Sequence, residues 1–324
     1  MTTHQHVPLR HLIAGVTIGG LVALQSRVNG DLGVAVNDGV TAAWLSFLIG
    51  TAALVAIVAL RRASREGVAN LRRGVRQRHI KWWEMSGGIF GALIVTGQTA
   101  VVPVIGVALF SVALVGGSTA GSLIVDRSRI SPGGPKEVTP ARLLSAVIAT
   151  VGVAIAAFGD ASSSAVAFSL VVVLVLLVAV VGGSAALQGA INGRLRGATG
   201  DTFVATLVNF LIGWVAIGAA WLVIHLPSGG SGITMPPMPW QQPLIWTGGL
   251  LGFVFVAVTA ELVKSVGVLV LGLTNVFGQI AGALLLDVFM PVNAGGVSAA
   301  LIIGSAITVV AVFIGAARPR KVAV

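Results

Sequence analysis

The chain has 324 residues, of which 56% are hydrophobic and only 9% are charged, and its mean hydropathy is +0.99. A soluble domain carries about 25% charged residues, so this composition excludes a soluble globular protein and predicts a polytopic membrane protein. The absence of cysteine excludes disulfides, thiolate metal sites and cysteine nucleophiles. In such a chain the net charge of +10 is first an indicator of topology and does not indicate nucleic-acid binding.

Apolar segments follow one another along the whole chain. Each has about the 17–25 residues that a helix needs to cross the hydrocarbon core of a bilayer. In chain order the predicted spans are 12–30, 40–60, 83–102, 104–125, 142–159, 166–189, 203–225, 244–263, 266–287 and 297–316. The sequence therefore predicts an all-α membrane protein with ten transmembrane helices, the first of which is an uncleaved helix and not a signal peptide.

The Lys and Arg residues predict how these helices are oriented. The loop at 61–81 contains eight of them, and strongly basic loops lie on the cytoplasmic side of a membrane. When this loop is placed inside, every other Lys or Arg except Arg27 also falls on the cytoplasmic side. We therefore expect a multi-pass protein of the cell membrane with both termini in the cytoplasm, and contact between the basic loop and anionic lipid.

The second half of the chain repeats the first. Without gaps, 23–50 and 186–213 share 13 of 28 residues, and 87–126 and 248–287 share 13 of 40. The shared positions include the Gln, Asn and Gly of LQSRVNG and LQGAING, two stretches that follow apolar runs. Agreement at polar and glycine positions indicates a true internal duplication.

Each half of the chain, 1–160 and 161–324, holds five predicted helices. Five is an odd number, so the second half enters the membrane from the opposite side. The two halves are therefore expected to be inverted repeats, an architecture that is typical of secondary transporters and that favours alternating access.

These stretches resemble the drug/metabolite transporter superfamily, and within it the YdcZ-like bacterial inner-membrane family in its fused ten-helix form. The segment VFGQIAGALLLDVF at 276–289 is similar to the signature of that family's fourth helix. The corresponding VGGSTAGSLIVDR at 115–127 has Ser118 in place of the glutamine, which predicts a less polar site in the first half. The resemblance implies a transporter fold without naming a substrate.

Polar side chains inside the predicted spans are the candidate substrate contacts. An amide that faced lipid would be costly, so these residues should face the bundle, either as interhelical hydrogen-bonding groups or as the lining of a cavity. The candidates are Gln25, Ser46, Gln98, Ser118, Gln188, Asn209, Asn275 and Gln279, with Thr259 in the same set. We expect Gln279 to be the strongest single contact.

Two local motifs have a packing interpretation. Asn29–Gly30 and Asn192–Gly193 have the sequence of a helix C-cap with a left-handed glycine, or alternatively form the rims of two half-sites. The glycines of the G-x-x-x-G motifs predict close helix packing. These are Gly87/Gly91, Gly117/Gly121, Gly248/Gly252 and Gly278/Gly282.

Asp126 and Asp287 lie at helix C-terminal ends, where the helix dipole disfavours negative charge by about 0.3–1 kcal/mol. We expect each carboxylate to face the Asn-Gly end of the other half as part of a gating charge pair. Asp287 would then lie near Arg27, and Asp126 near Arg194 and Arg196.

Local ion pairs are the simpler alternative for some of these charges. Arg27 and Asp31 have i,i+4 spacing, and Glu261 and Lys264 have i,i+3 spacing. No acidic residue lies at a predicted membrane midplane, which disfavours a simple carboxylate-centred exchange of protons for cations.

The sequence favours a secondary transporter of a small metabolite or drug-like solute, with export as the preferred direction. A non-transporting scaffold or regulatory subunit is the alternative. An intramembrane enzyme is disfavoured, because the chain has no Cys, Tyr or G-x-S-x-G motif and no His well inside a span. No cofactor or metal is expected; the expected partners are a small solute and the lipid bilayer, and a homodimer is neither required nor forbidden.

Overall fold

The computed structural model describes residues 8–130, 134–135, 137–163, 167–227, 229–291 and 297–316, with their side chains except at 160–163, 260–261 and 263–269. These ranges contain nine α-helices and no strand. The helices are α1 Leu9–Val36, α2 Gly39–Leu60, α3 Arg62–Arg76, α4 Gly87–Arg127, α5 Pro140–Ser163, α6 Phe168–Thr199, α7 Thr202–His225, α8 Gly248–Phe289 and α9 Ala299–Ala316. The protein is thus all-α, as predicted.

Within the described residues, eight helical segments are long and apolar enough to cross a membrane. They are Leu9–Val36, Gly39–Leu60, Trp82–Arg127, Pro140–Gly159, Phe168–Thr199, Thr202–His225, Val270–Phe289 and Ala299–Ala316, and Gly248–Thr259 is a shorter apolar helix. The count is eight and not the expected ten because two predicted pairs of spans each belong to one long helix. One pair lies within α4 and the other within α8.

The long helix α4 contains a sharp break. Gly106 has a φ of 78° and a ψ of 168°, a conformation that an L side chain rarely adopts. A Cβ built on Gly97 would lie 3.5 Å from the ring of Phe110, although 13 residues of straight helix would separate their backbones by about 20 Å. The chain therefore folds back at Gly106, shortly after Pro103.

Large apolar side chains cover the outside of the bundle. Ile124, Val180, Val223 and Phe289 are all strongly exposed, whereas the interior contains buried amides and hydroxyls. In a water-soluble protein this distribution would leave apolar surface in the solvent. It is the distribution that a lipid solvent requires.

The interpretation of the Asn-Gly motifs as helix C-caps is wrong. Helix α1 continues past Gly30 and ends at Asn37, which has a left-handed φ of 55°. Helix α6 likewise continues past Gly193 and ends at Gly200, with a φ of 71°. The caps lie about two turns later in both halves, at Asn37 and Gly200.

The basic segment at 61–81 includes a helix that the apolar pattern did not predict. Helix α3 is mostly polar, and it packs through small residues against the start of α7. The Ser64 hydroxyl donates to the Asp201 carboxylate over 3.2 Å, and Arg61 forms an ion pair with the same group at 3.4 Å. Asn70 donates to the carbonyl of Thr199 over 3.2 Å. These contacts tie α3 to the loop between α6 and α7.

Close helix packing predicts a large effect for one glycine. A Cβ on Gly182 of α6 would overlap the backbone carbonyl of Leu114 in α4. We expect Gly182→Ala to destabilise the protein by about 1–3 kcal/mol, because backbone atoms cannot move aside as a flexible side chain can. The apparent unfolding temperature of the purified protein in detergent measures this effect.

Gly197 is the matched control on the same helix, since a Cβ there would meet nothing within 4 Å. Gly197→Ala is expected to leave the unfolding temperature unchanged or slightly raised, because alanine is the better helix former. Equal destabilisation by the two substitutions would contradict the packing explanation.

Candidate functional site

A cavity of about 700 Å³ lies among α1, α2, α4, α6, α7 and α8. Its wall combines apolar side chains with neutral amides and hydroxyls. Seven of the eight residues predicted as substrate contacts line it: Gln25, Ser46, Gln98, Gln188, Asn209, Asn275 and Gln279. Ser118 is not among the lining residues, and its hydroxyl donates to the Val115 carbonyl of its own helix over 2.9 Å.

Four buried side chains form a hydrogen-bonded cluster beside the cavity, which we call the amide cluster: Ser26, Asn29, Ser46 and Gln98. Asn29 Nδ2 donates to Gln98 Oε1 over 2.7 Å, and Gln98 Nε2 donates to Ser26 Oγ over 3.0 Å. Ser46 Oγ donates to Asn29 Oδ1 over 2.9 Å. Each of the two amides therefore both donates and accepts a hydrogen bond within the cluster.

The C-terminal part of α1, which we call the first rim (Ser26, Asn29, Gly30 and Gly33), is tightly closed against α4. A Cβ on Gly30 would lie 3.0 Å from Cγ1 of Val102, and one on Gly33 would overlap the Thr99 carbonyl. All four residues of the first rim are buried. Glycine is needed at 30 and 33 because the backbones approach this closely.

The equivalent part of α6, which we call the second rim (Gly189, Asn192, Gly193 and Arg196), is open. A Cβ on Gly189 would meet nothing within 4 Å, and Gly189, Gly193 and Arg196 are exposed. All four of its residues line the cavity, whereas no residue of the first rim does. The cavity therefore opens at the second rim and is closed at the first.

Ser26 and Thr99 take part in this closure, but the sequence did not indicate them. The internal alignment places Gly189 opposite Ser26, so the hydroxyl has no counterpart in the repeat. Thr99 Oγ1 donates to the Gly39 carbonyl over 2.7 Å. A comparison of the two halves finds shared residues and so passes over both.

Loop 226–243 also contacts the first rim's end of the bundle. Thr234 N donates to the Val36 carbonyl over 2.8 Å, and its hydroxyl donates to the Ala35 carbonyl over 2.8 Å. The loop thus binds the end of α1, while α3 binds the end of α6. The helix that carries each rim is therefore bound at its C-terminal end by a segment from the other half of the chain.

Asp287 caps the second segment of α4. Its carboxylate accepts from the backbone N–H of Val107 over 3.1 Å and from that of Ala108 over 2.7 Å, directly after the break at Gly106. The positive end of that helical segment offsets the unfavourable position of Asp287 at the end of α8. The compensation expected from Arg27 thus comes chiefly from backbone amides.

The ion pairs differ from the expected gating pairs, although Arg27 remains close enough to Asp287 for an attraction between their charges. Arg27 forms the i,i+4 pair with Asp31 at 3.0 Å and also donates to the carbonyl of Met290. Asp126 forms an ion pair of 2.6 Å with Arg142, which follows it in sequence. The expected pair of Glu261 and Lys264 lies outside the described side chains.

Arg194, predicted as a partner of Asp126, forms an ion pair with Glu84 at 2.9 Å and donates to the Arg129 carbonyl over 3.1 Å. Asp126 pairs instead with Arg142, which lies in the first turn of α5. Arg196 lies at the cavity mouth.

The cap at Asp287 predicts a specific loss of stability. Asp287→Asn replaces one acceptor oxygen by an NH₂ group that faces a backbone donor, and we expect a loss of about 1–3 kcal/mol. Thermal unfolding in detergent measures it. The control is Asp31→Asn, whose carboxylate is 41% exposed beside Arg27, and it should change stability by less than about 1 kcal/mol. Similar losses for both variants would argue against the cap.

One family model, described as "Putative inner membrane exporter, YdcZ", matches two segments of the chain, residues 11–155 and 173–314. A comparison with curated proteins found no match. The two matched segments cover most of the sequence, and the apolar helices agree with a multi-pass membrane protein. The protein therefore belongs to the YdcZ family of the inner membrane.

Proposed function

We propose that the protein is a secondary transporter that exports a small solute across the cytoplasmic membrane by alternating access. The observation that carries this proposal is the difference between the two rims. Equivalent stretches of sequence form a closed end and an open end of one cavity. A scaffold would not need an amide-lined cavity whose closed end and open end are formed by equivalent stretches of the two halves.

Equivalent packing contacts support the inverted repeats at 1–160 and 161–324. A Cβ on Gly278 would overlap the backbone of Val16, and one on Gly117 would overlap that of Ala179, the aligned pair. The family model also matches once in each half. Both observations fit a pseudo-two-fold axis in the membrane plane.

The aromatic pair between α2 and α7 follows the same rule. Gly50 packs against Phe210 and Gly213 packs against Phe47, which are aligned positions of the two halves. The Phe47 and Phe210 rings lie 5.0 Å apart between centroids. A contact that pairs each residue with its own counterpart is the expected signature of a two-fold axis.

The lengths of α4 and α8 support ten membrane crossings. The two elements have 41 and 42 residues. At 1.5 Å per residue, each would extend about 60 Å if straight, twice the thickness of a hydrocarbon core. The fold-back at Gly106 supports two crossings for α4, and Gly267 occupies the aligned position in α8.

In an inverted repeat the two rims exchange their states. The alternate state would have the second rim closed against α8, with Asn192 and Gly189 approaching Thr259, the residue aligned with Gln98. The first rim would then release Asn29 and Ser26 from Gln98. The close packing of α1 against α8 and of α4 against α6 is equivalent in the two halves and would be kept.

The basic residues support an orientation in which the open rim faces the cytoplasm. Helix α3 and the C-terminal end of α6 both carry arginine, and basic segments next to membrane spans are cytoplasmic. A cavity that is open to the cytoplasm can load a solute for export.

A cysteine introduced in α3, the only thiol of the chain, should react with an impermeant maleimide in inverted membrane vesicles and not in intact cells.

The transport proposal is tested by flux in proteoliposomes. The purified protein is expected to move at least one member of a broad panel of neutral, anionic and cationic solutes, measured with and without a proton gradient. If a folded, monodisperse preparation moves none of them under either condition, the scaffold interpretation is favoured and the transport proposal is wrong.

A further inference from the structure

The cavity wall is almost free of charged side chains. Among the described residues that line it there is no Asp or Glu, and Arg196 at the open rim is the one charged side chain. A cation that left water for this cavity would find no carboxylate, and an unpaired charge in a place of low dielectric constant is costly. The wall therefore disfavours cationic solutes.

Three amides of the cavity already have partners. Gln98 is satisfied within the amide cluster, and Gln188 Nε2 donates to Asn209 Oδ1 over 3.3 Å. Among the fully buried side-chain atoms of the lining residues, three have no hydrogen-bond partner: Thr259 Oγ1, Asn275 Oδ1 and Gln279 Nε2. All three belong to α8, and we call them the α8 subsite.

The α8 subsite offers complementary polar groups. Asn275 Oδ1 is an acceptor and Gln279 Nε2 is a donor, and the i,i+4 spacing places both on the same face of the helix. Gln279 is 93% buried, since 7% of its surface is exposed. A buried polar group without a partner carries a desolvation cost, which a ligand with the matching donor and acceptor removes.

The backbone that carries the subsite is held firmly. A Cβ on Gly19 of α1 would overlap the backbone carbonyl of Asn275 and would lie 2.7 Å from the backbone nitrogen of Gln279. Helix α1 therefore packs directly against the backbone of α8 at these residues. A site on a packed helix is preorganised, so little entropy is lost when a ligand binds.

Aromatic side chains supply the apolar part of the site. Phe47, Phe210 and Phe255 line the cavity, and Phe47 and Phe210 pack together with ring planes inclined by 35°. A flat apolar group can pack against this wall while a polar group reaches α8. The cavity volume of about 700 Å³ is in the range of small-molecule sites.

We propose that the α8 subsite selects uncharged solutes that join a carboxamide-type group, with one donor and one acceptor, to an apolar or aromatic body. This inference rests on the proposed function, in which the cavity is the transport site. The carboxamide N–H would donate to Asn275 Oδ1, and its carbonyl oxygen would accept from Gln279 Nε2. An ammonium group has no acceptor for Gln279, and a carboxylate has no donor for Asn275.

Three probes with the same phenyl body test this selectivity: phenylacetamide, phenethylammonium and phenylacetate. Binding is measured as the rise in unfolding temperature of the purified full-length protein with probe concentration, which yields a dissociation constant. The amide is expected to bind at least about tenfold more tightly than either charged probe. Equal affinities, tighter binding of a charged probe, or no binding of the amide would overturn the inference.

Two substitutions of Gln279 locate the effect. Gln279→Leu should remove the preference for the amide, whereas Gln188→Leu, which removes an amide that already has a partner, should keep it. Gln279→Glu should reverse the preference toward phenethylammonium, because it places a carboxylate in the cavity. A reversal is a gain of binding and cannot arise from misfolding; its absence in a folded variant would assign the selectivity to other residues and overturn the role of the subsite.

Disulfide cross-links introduced at the first and second rims need no solute for their formation. If they form as expected and the probe series shows no selectivity, only the substrate class is wrong. If the probes bind selectively and the rims do not exchange, the transport mechanism is wrong and the binding site stands.

Discussion

Gly30→Cys combined with Val102→Cys is expected to form a disulfide that reduces solute flux by more than about tenfold. The chain has no other cysteine, and a Cβ on Gly30 would lie 3.2 Å from Cβ of Val102, close to the usual 3.5–4.5 Å of a disulfide. The bond would hold the first rim closed, so the cavity could not open on that side. Flux of a panel solute is measured before and after oxidation, and reduction should restore it.

The matched control is a disulfide at a contact that alternation should preserve. A Cβ on Gly282 would lie 3.5 Å from Cβ of Ala23, across α1 and α8. Ala23→Cys with Gly282→Cys should cross-link as efficiently and keep most of the flux. Unimpaired flux through the protein with the first rim locked would show that this rim is not a gate.

The second rim offers the reciprocal cross-link. Gly189→Cys and Thr259→Cys occupy the positions aligned with Ser26 and Gln98, which are hydrogen-bonded at the first rim. In the structure Gly189 has open space around it, so this disulfide should form only in the alternate state. If the first rim is locked beforehand, the second-rim disulfide can form only when both ends close together, as in an occluded state. Formation with the first rim free, and not with it locked, would establish the exchange.

Gln98→Leu is expected to open the first rim. The amide of Gln98 accepts from Asn29 and donates to Ser26. Leucine leaves Asn29 Nδ2 without a partner in the closed state, whereas the Ser26 hydroxyl keeps its bond to the Val22 carbonyl. The unsatisfied amide costs about 1–3 kcal/mol, whereas water satisfies it when the rim is open. The equilibrium should shift toward the open first rim by about tenfold or more.

The shift is measured as the alkylation rate of Val102→Cys, a position that is 1% exposed at the closed rim. Gln98→Leu should raise this rate by about tenfold or more. The control is Gln188→Leu, next to the second rim, where the amide donates one 3.3 Å bond to Asn209, and the rate should not rise. A Val102→Cys thiol that stays unreactive in the Gln98→Leu protein would show that the amide cluster does not hold the rim.

Some parts of the fold depend only on local sequence. Asp38 and Asp201, matched in the internal alignment, are both helix N-caps, and they accept from Thr41 N over 2.6 Å and Val204 N over 2.9 Å. The glycines of the G-x-x-x-G motifs lie at close helix contacts, such as Gly121 against Gly183. Such features depend on a few neighbouring residues, so a single sequence suffices to predict them.

Other parts depended on contacts between distant residues. The apolar pattern does not predict helix α3, which is polar and contacts Asp201 and Thr199, more than a hundred residues away. Asp126 was assigned to the arginines of α6, yet its partner is Arg142. Spacing along the chain cannot rank possible partners when several arginines lie on the same side of the membrane.

The sequence by itself determined the solvent and the duplication. A composition with 9% charged residues requires lipid around the helices, and the repeated Gln, Asn and Gly positions relate the two halves. Only the tertiary structure decided what each copy does. Asn29 is buried and bonded to Gln98, whereas Asn192, its counterpart, lines an open cavity. Two copies of one motif can differ in this way because burial and hydrogen bonding are set by the helix that packs against each copy, and not by the motif.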